Sequence, residues 1–200
     1  MSTLLLGTRN PGKVREITSI LEDSGWSFSL PQKNIPTPPE DGKTFTDNAT
    51  AKARFYATAS GLWALADDSG LGVDALGGAP GVYSARYAGE NASDADRRAL
   101  LLSELANVSA PERRARFVSV VAIASSDGKV LNVSEGVCEG TITFAPRGEG
   151  GFGYDPLFIP DGYSETFAEL PESVKNRISH RARALFKTHE FLKSYKSEIL

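Results

Sequence analysis

Residues 3–25, TLLLGTRNPGKVREITSILEDSG, carry the first decision about the fold. Thr3 to Gly7 reads as a short buried strand. From Lys13 the pattern turns helical, with Val14, Ile17 and Leu21 on one stripe and Gly25 as the stop. A strand that runs through a glycine-bounded loop into a helix is the opening unit of an α/β chain.

The remainder extends that reading. Trp26, Phe28 and Leu30 alternate as in a strand, and the prolines at 31, 36, 38 and 39 make 31–42 a loop. Thr44 opens a helix to about Ser60, with Asp47 in its first turn and Gly61 closing it. Trp63 to Asp67 is a second apolar strand ending in acids, followed by a glycine-rich stretch from Gly70 to Gly89. Ser93 and Asp96 form a capping pair for a helix over 94–107. Arg116 to Ser125, the turn Asp127-Gly128 and Lys129 to Val137 read as a hairpin. Shorter strands are expected at 141–144 and 157–159, and Ser179 should cap a last helix whose apolar face is Leu185, Phe186, Phe191 and Leu192. Strands and helices interleave early and a hairpin comes late, which predicts an α/β fold with a mixed sheet. No repeat or linker interrupts 1–200, so one domain is expected.

Composition narrows the functions. A net charge of -3 argues against a chain devoted to gripping nucleic-acid backbone. The single Cys138 excludes an internal disulfide framework and a cysteine-rich zinc site, and reads as a small buried hydrophobe. The three leucines at 4–6 are too short for a signal h-region, and no stretch approaches the ~20 apolar residues of a spanning helix. A cytoplasmic protein without nucleic-acid or membrane partners is expected.

Five segments hold chemistry. Gly7-Thr8-Arg9-Asn10-Pro11-Gly12-Lys13 aims a loop and a helix N-terminus at an anion, with Lys13 as a mobile cation. Its spacing matches a Walker A loop, but Val14 stands where that loop needs Ser or Thr, and Pro11 removes a donor. Asp67-Asp68-Ser69-Gly70 places hard oxygen ligands at a strand end, suited to Mg²⁺, and alternation along a strand sends the two acids opposite ways. Glu40, in the proline loop, is a third carboxylate. Gly148 to Pro156 sets four glycines around Phe152 and Tyr154, which could stack on a base or anchor a hairpin. Lys175 to Arg181 gathers cations at what reads as a helix start, where the dipole opposes them unless an acceptor-rich ligand arrives.

Taken together, these strings resemble the inosine and xanthosine triphosphate pyrophosphatase family. The matching pieces are Thr8-Arg9-Asn10-Pro11-Gly12-Lys13, Glu40 ahead of Thr44-Phe45-Thr46-Asp47-Asn48-Ala49, and ADDSGLGVDALGGAPGVYSARY over 66–87. Gly150 to Pro156, Phe167-Ala168-Glu169-Leu170 and Ser179-His180-Arg181 complete the set. The resemblance implies an elongated α/β fold, a mixed central sheet flanked by helices, a deep nucleotide cleft and a homodimer. It also implies roles. Thr8, Asn10 and Lys13, within the loop that includes Arg9, Pro11 and Gly12, would hold the triphosphate. Glu40 and Asp68 would place Mg²⁺, with Asp68 as base, and Ser69 would touch the substrate. Phe152, Gly153, Tyr154, Asp155, Lys175, His180 and Arg181 would line the base pocket. Fixed donors there would favour the 6-oxo group of hypoxanthine and xanthine over adenine's amino group. The rivals are a P-loop ATPase, a nucleotide-sensing or RNA-binding module, and a relative that processes modified pyrimidines.

Overall fold

The computed structural model describes the backbone of residues 2–199 and the side chains of 2–195. Six strands form one sheet. In chain order they are β1 (Thr3–Leu6), β2 (Ser27–Ser29), β3 (Trp63–Val73), β4 (Arg114–Ala124), β5 (Val130–Ile142) and β6 (Phe158–Pro160). The order across the sheet is β2-β1-β3-β4-β5-β6. β1 runs parallel to both β2 and β3, whereas β5 and β6 pair antiparallel, Gly140 facing Pro160. The mixed sheet expected from the sequence is therefore present. The helices are α1 (Pro11–Ile20), α2 (Phe45–Ser60), α3 (Asp94–Glu104), α4 (Glu172–Ile178) and α5 (His180–Ile199).

The chain divides into two compact units. The first takes residues 1–68, 119–136 and 181–200; the second takes 69–118 and 137–180.

In the first unit the strands obey period two on both faces. Leu5, Ala64, Ala66, Val120, Ala122 and Ala124 point to one side, against Ala49, Ala53, Tyr56 and Ala57 of α2. Leu4, Leu6, Leu65, Val121 and Ile123 point to the other, against Ile17 and Leu21 and against Ala184, Leu185 and Leu192 of α5. Both faces are covered, which explains why these strands are nearly continuous apolar runs. The α2 side is a seam of alanines, so helix and sheet meet through methyl groups. Thr44 and Asp47 form a complete capping box at the start of α2, and Gly61 ends it at φ 69°.

The second unit has an aromatic core. Phe117, Phe158 and Phe167 pack with Leu71, Val73, Leu101, Leu105, Cys138, Ile142, Tyr154 and Leu157. Cys138 is buried, as its small apolar character suggests.

Four expectations need correction. β3 does not end at the acids but continues to Val73, with Leu71 and Val73 still in the core, so Asp67 and Asp68 sit mid-strand. The strand expected at 141–144 is the end of β5, which reaches Ile142. The third helix is shorter than 94–107 and stops at Glu104, although its Ser93–Asp96 capping box is present. Finally, residues 172–178 are helical, so Lys175 and Arg177 lie in the last turn of α4 rather than at a helix start. There the dipole favours them, and the electrostatic frustration expected from the sequence is absent for these two cations.

Candidate active-site residues

The loop after β1 is organised by its own side chains. Asn10 caps α1, its Oδ1 accepting from the N–H groups of Gly12 (2.9 Å) and Lys13 (3.2 Å). Pro11 occupies the first helical turn, where a missing N–H costs nothing. Thr8 Oγ1 accepts from Asn10 N at 3.2 Å. Arg9 turns away to the proline loop, donating to Ile35 O (2.6 Å), Gln32 O (3.1 Å) and Thr37 Oγ1 (2.9 Å). It is thus a strut for the segment that carries Glu40.

Lys13 reaches Asp67, Nζ to Oδ2 at 3.1 Å, and its side chain is only 18% exposed. The same Asp67 oxygen accepts from Arg181 Nε at 3.2 Å, and Arg181 Nη1 pairs with Glu16. Asp68 faces the other way. Its Oδ1 accepts from Lys52 Nζ at 3.1 Å and its Oδ2 from Asn48 Nδ2 at 3.0 Å. Lys52 also binds Glu40 Oε1, at 2.6 Å. The opposed directions of the two aspartates follow from strand alternation, as expected. Asn48 Oδ1 accepts from Gly42 N at 2.8 Å and so ties the Glu40 loop to α2. A Cβ at Gly42 would sit 2.5 Å from that same oxygen, so only glycine permits the approach.

The neighbouring acids are driven in opposite directions. Burial raises the Asp67 carboxyl, but Lys13 and Arg181 outweigh it and hold the group well below the usual carboxylate range. Asp68 is raised, by burial first and then by the charge of Glu40, against the opposing pull of Lys52 and the Asn48 hydrogen bond. Burial lowers the Lys13 ammonium. Burial also acts to lower Lys52, yet Asp68 and Glu40 prevail and raise it. The two neighbouring acids thus differ in proton affinity, Asp67 below the usual carboxylate range and Asp68 above it.

The donor set suits a hard divalent cation. Two carboxylates, Glu40 and Asp68, already converge on one positive group, and Mg²⁺ takes one or two carboxylates plus water and phosphate oxygens. Among the described residues no group of three or more His, Cys, Asp or Glu side chains is placed to hold a metal. The remaining positions would fall to water and substrate.

In the second unit, Gly153 is clamped by α3. Its N–H donates to Asp94 Oδ2 (2.7 Å) and its carbonyl accepts from Arg98 (2.8 Å). Asp155 accepts from Phe152 N (2.8 Å) and from Lys175 Nζ (2.6 Å), and the Lys175 ammonium lies 4.7 Å from the Phe152 ring centroid. Gly151 has φ 69°, and a Cβ there would collide with Asp155 Oδ2. Tyr154 is a core residue whose hydroxyl donates to Ser84 O at 3.0 Å, and burial raises its phenol. His180 stacks on Phe117, centroids 4.5 Å apart. Ser69 is half-buried on β3.

The structure therefore brings Glu40, Asp68, Lys13, the loop residues and Arg181 into the first unit, and Ser69, Phe152 to Asp155, Lys175 and His180 into the second. The chain passes between the units four times, at Asp68–Ser69, Val118–Ser119, Gly136–Val137 and His180–Arg181. Arg181 thus falls in a different unit from the other residues expected at the base, and two carboxylates of the first unit hold it.

A model of the Ham1 family matches residues 4–191. The chain belongs to the Ham1 family. Among similar proteins, the dITP/XTP pyrophosphatase of Geobacter sulfurreducens is 53% identical over 189 residues, covering 92% of this chain and 94% of that protein. A dITP/XTP pyrophosphatase of Thermus thermophilus is 50% identical over 194 residues, covering 96% and 91%. The solved structure of a HAM1 protein from Coxiella burnetii matches with a TM-score of 0.88 and 41% identity, over 97% of this chain and all of that one. In this Ham1-family chain, the residues that sequence reasoning passed over are Lys52, Glu16, Asp94 and Arg98. Lys52 had a signal: it lies one turn after Asn48 on the buried alanine stripe of α2, where a solvated lysine would not be placed.

Proposed function

We propose that this chain hydrolyses non-standard purine nucleoside triphosphates, dITP, ITP and XTP, to the monophosphate and pyrophosphate. The reading is carried by membership in the Ham1 family together with end-to-end similarity, at about half of all positions, to dITP/XTP pyrophosphatases. The paired carboxylates on Lys52, opposite a second acid with the reverse proton affinity, are what such a reaction requires.

Phosphoryl chemistry needs positioning and charge neutralisation more than covalent participation. Glu40 and Asp68 would hold Mg²⁺. When bound, that ion supplies positive charge to the phosphate oxygens. Lys13 would neutralise charge on the triphosphate, with Thr8 and Asn10 of its loop as hydrogen-bonding groups, and Arg9 braces the loop bearing Glu40. Asp68, raised by burial, orients the attacking water and takes its proton. The new bond forms between water oxygen and the α-phosphorus, and pyrophosphate leaves as the α–β bridge breaks. Phe152, Gly153, Tyr154, Asp155, Lys175 and His180, with Ser69 and Arg181, are the residues through which the base would be selected. The 6-oxo group is an acceptor matched to the cationic side chains, whereas adenine's amino group is not.

We read 1–200 as one catalytic domain, since each unit is assembled from separated chain segments and neither is a contiguous piece. A homodimer is supported by the family resemblance. No helix among the described residues is long and apolar enough to cross a membrane.

The test is a product assay. ITP, dITP, XTP, GTP and ATP are incubated with Mg²⁺ or with chelator, and the products are separated by anion exchange. Monophosphate and pyrophosphate from the first three alone, lost on chelation, is the expected outcome. Diphosphate and phosphate would move the assignment to a P-loop type of phosphohydrolase.

A further inference from the structure

Glu16 lies on α1 one turn beyond Lys13, and its side chain is turned inward, only 6% exposed. Burying a carboxylate is costly unless a cation and hydrogen bonds compensate it. Its partner is Arg181 in the first turn of α5, and Arg181 in turn holds Asp67 through Nε. Asp67 Oδ2 receives Lys13 as well. The charges thus alternate, Glu16, Arg181, Asp67, Lys13, along a chain in which Lys13 is the most exposed member. Nothing in the sequence resemblance gives Glu16 a role.

We propose that Glu16 is a positioning residue for Lys13, acting through Arg181 and Asp67. This rests on the function proposed above, in which Lys13 meets the triphosphate.

The geometry gives the reason. A guanidinium is a rigid planar fork, so two carboxylates on its Nη1 and Nε fix its plane. Asp67 uses one oxygen for both of its cations, while its Oδ1 is buried with no hydrogen-bond partner among the described residues. That idle oxygen allows a competing arrangement, in which Arg181 grips both oxygens of Asp67 side-on. Glu16 holds Nη1, so the guanidinium charge is shared between two carboxylates and does not settle wholly on Asp67. Asp67 Oδ2 then stays available to Lys13, and the long lysine stem keeps one place to rest and to return to. Without the Glu16 charge, Arg181 would turn to Asp67 alone and displace the lysine.

Glu16→Gln keeps the shape and the acceptor but removes the charge. Its kcat/KM for ITP, and its Kd for inorganic tripolyphosphate by calorimetry, are compared with those of Lys13→Met and of the double variant. The expected result is a rise in KM and in the tripolyphosphate Kd of about tenfold for Glu16→Gln, with little further loss when it is added to Lys13→Met. Equal loss in both backgrounds, or a lowered Tm with unchanged Kd, would mean a merely structural ion pair and overturn the proposal. If Glu16→Gln does not fold, Arg181→Lys, which keeps the charge but not the fork, goes through the same cycle with the Kd for tripolyphosphate, a ligand without a base, as the deciding readout. A wild-type protein that does not turn over ITP defeats the proposed function, and the tripolyphosphate arm still judges Glu16. A wild-type protein that does, with an additive cycle, defeats this inference alone.

Discussion

Two regions of the molecule bury acids and treat them differently. In the first unit the most deeply buried cations are shared: Lys52 between Glu40 and Asp68, Arg181 between Glu16 and Asp67. In the second unit Asp155 and Lys175 form an ion pair, joined by the Phe152 amide and flanked by the rings of Phe152 and Phe167. A shared cation divides one positive charge between two acids. The Asp155–Lys175 pair instead ties the Phe152 loop to α4. The shared cations are expected to matter for turnover and the Asp155–Lys175 pair for stability.

The largest effect should come from the reactive side. Asp68→Asn removes the proposed base and is expected to lower kcat for ITP by about 10²–10⁴-fold, with the circular dichroism spectrum unchanged. A loss of less than tenfold would erase the distinction between the two regions. On the rigid side the change should appear in stability. Asp155→Asn strands the Lys175 ammonium in a buried site, and unfolding in urea should show a loss of about 3 kcal/mol or more. Were stability retained and kcat abolished, the pair would belong with the reactive set.

The smallest effect sharpens the comparison within the second unit. Asp94→Asn weakens the clamp on Gly153 and should cost about 1 kcal/mol at neutral pH while raising KM for ITP more than it lowers kcat. Burial acts to raise the Asp94 carboxyl, but the hydrogen bonds from Arg97 and the Gly153 amide outweigh it and lower the group. Its folded-state pKa therefore lies below the unfolded value. The stability it contributes is present above the usual carboxylate range and fades as pH falls through the lowered value. The gap between Asp94→Asn and wild type in thermal melts should accordingly narrow in acid; a gap that widens would contradict the clamp.

Much of this was legible from local chemistry. The Thr44–Asp47 and Ser93–Asp96 boxes mark helix starts because their side chains and backbone satisfy each other within one turn. The alternation of Asp67 and Asp68 is a property of any strand. What escaped depended on distance or on missing contrast. Gly70 and Gly72 made the second half of β3 look like a loop, yet Leu71 and Val73 beside them are fully buried. α4 is short and has no periodic stripe long enough to register. The pairing of Glu16 with Arg181 joins positions 165 residues apart, and no window along the chain contains both.

The alanine seam beneath α2 has a consequence beyond stability. Asn48 and Lys52 reach Asp68 from a helix whose height above the sheet is set by Ala49, Ala53 and Ala57 against Ala64, Ala66, Ala122 and Ala124. These methyl groups act as a spacer gauge for the carboxylate they never touch. Residues with no chemistry of their own therefore carry a tolerance as tight as that of the acids, and a single added methyl at Ala53 would detune the site from underneath.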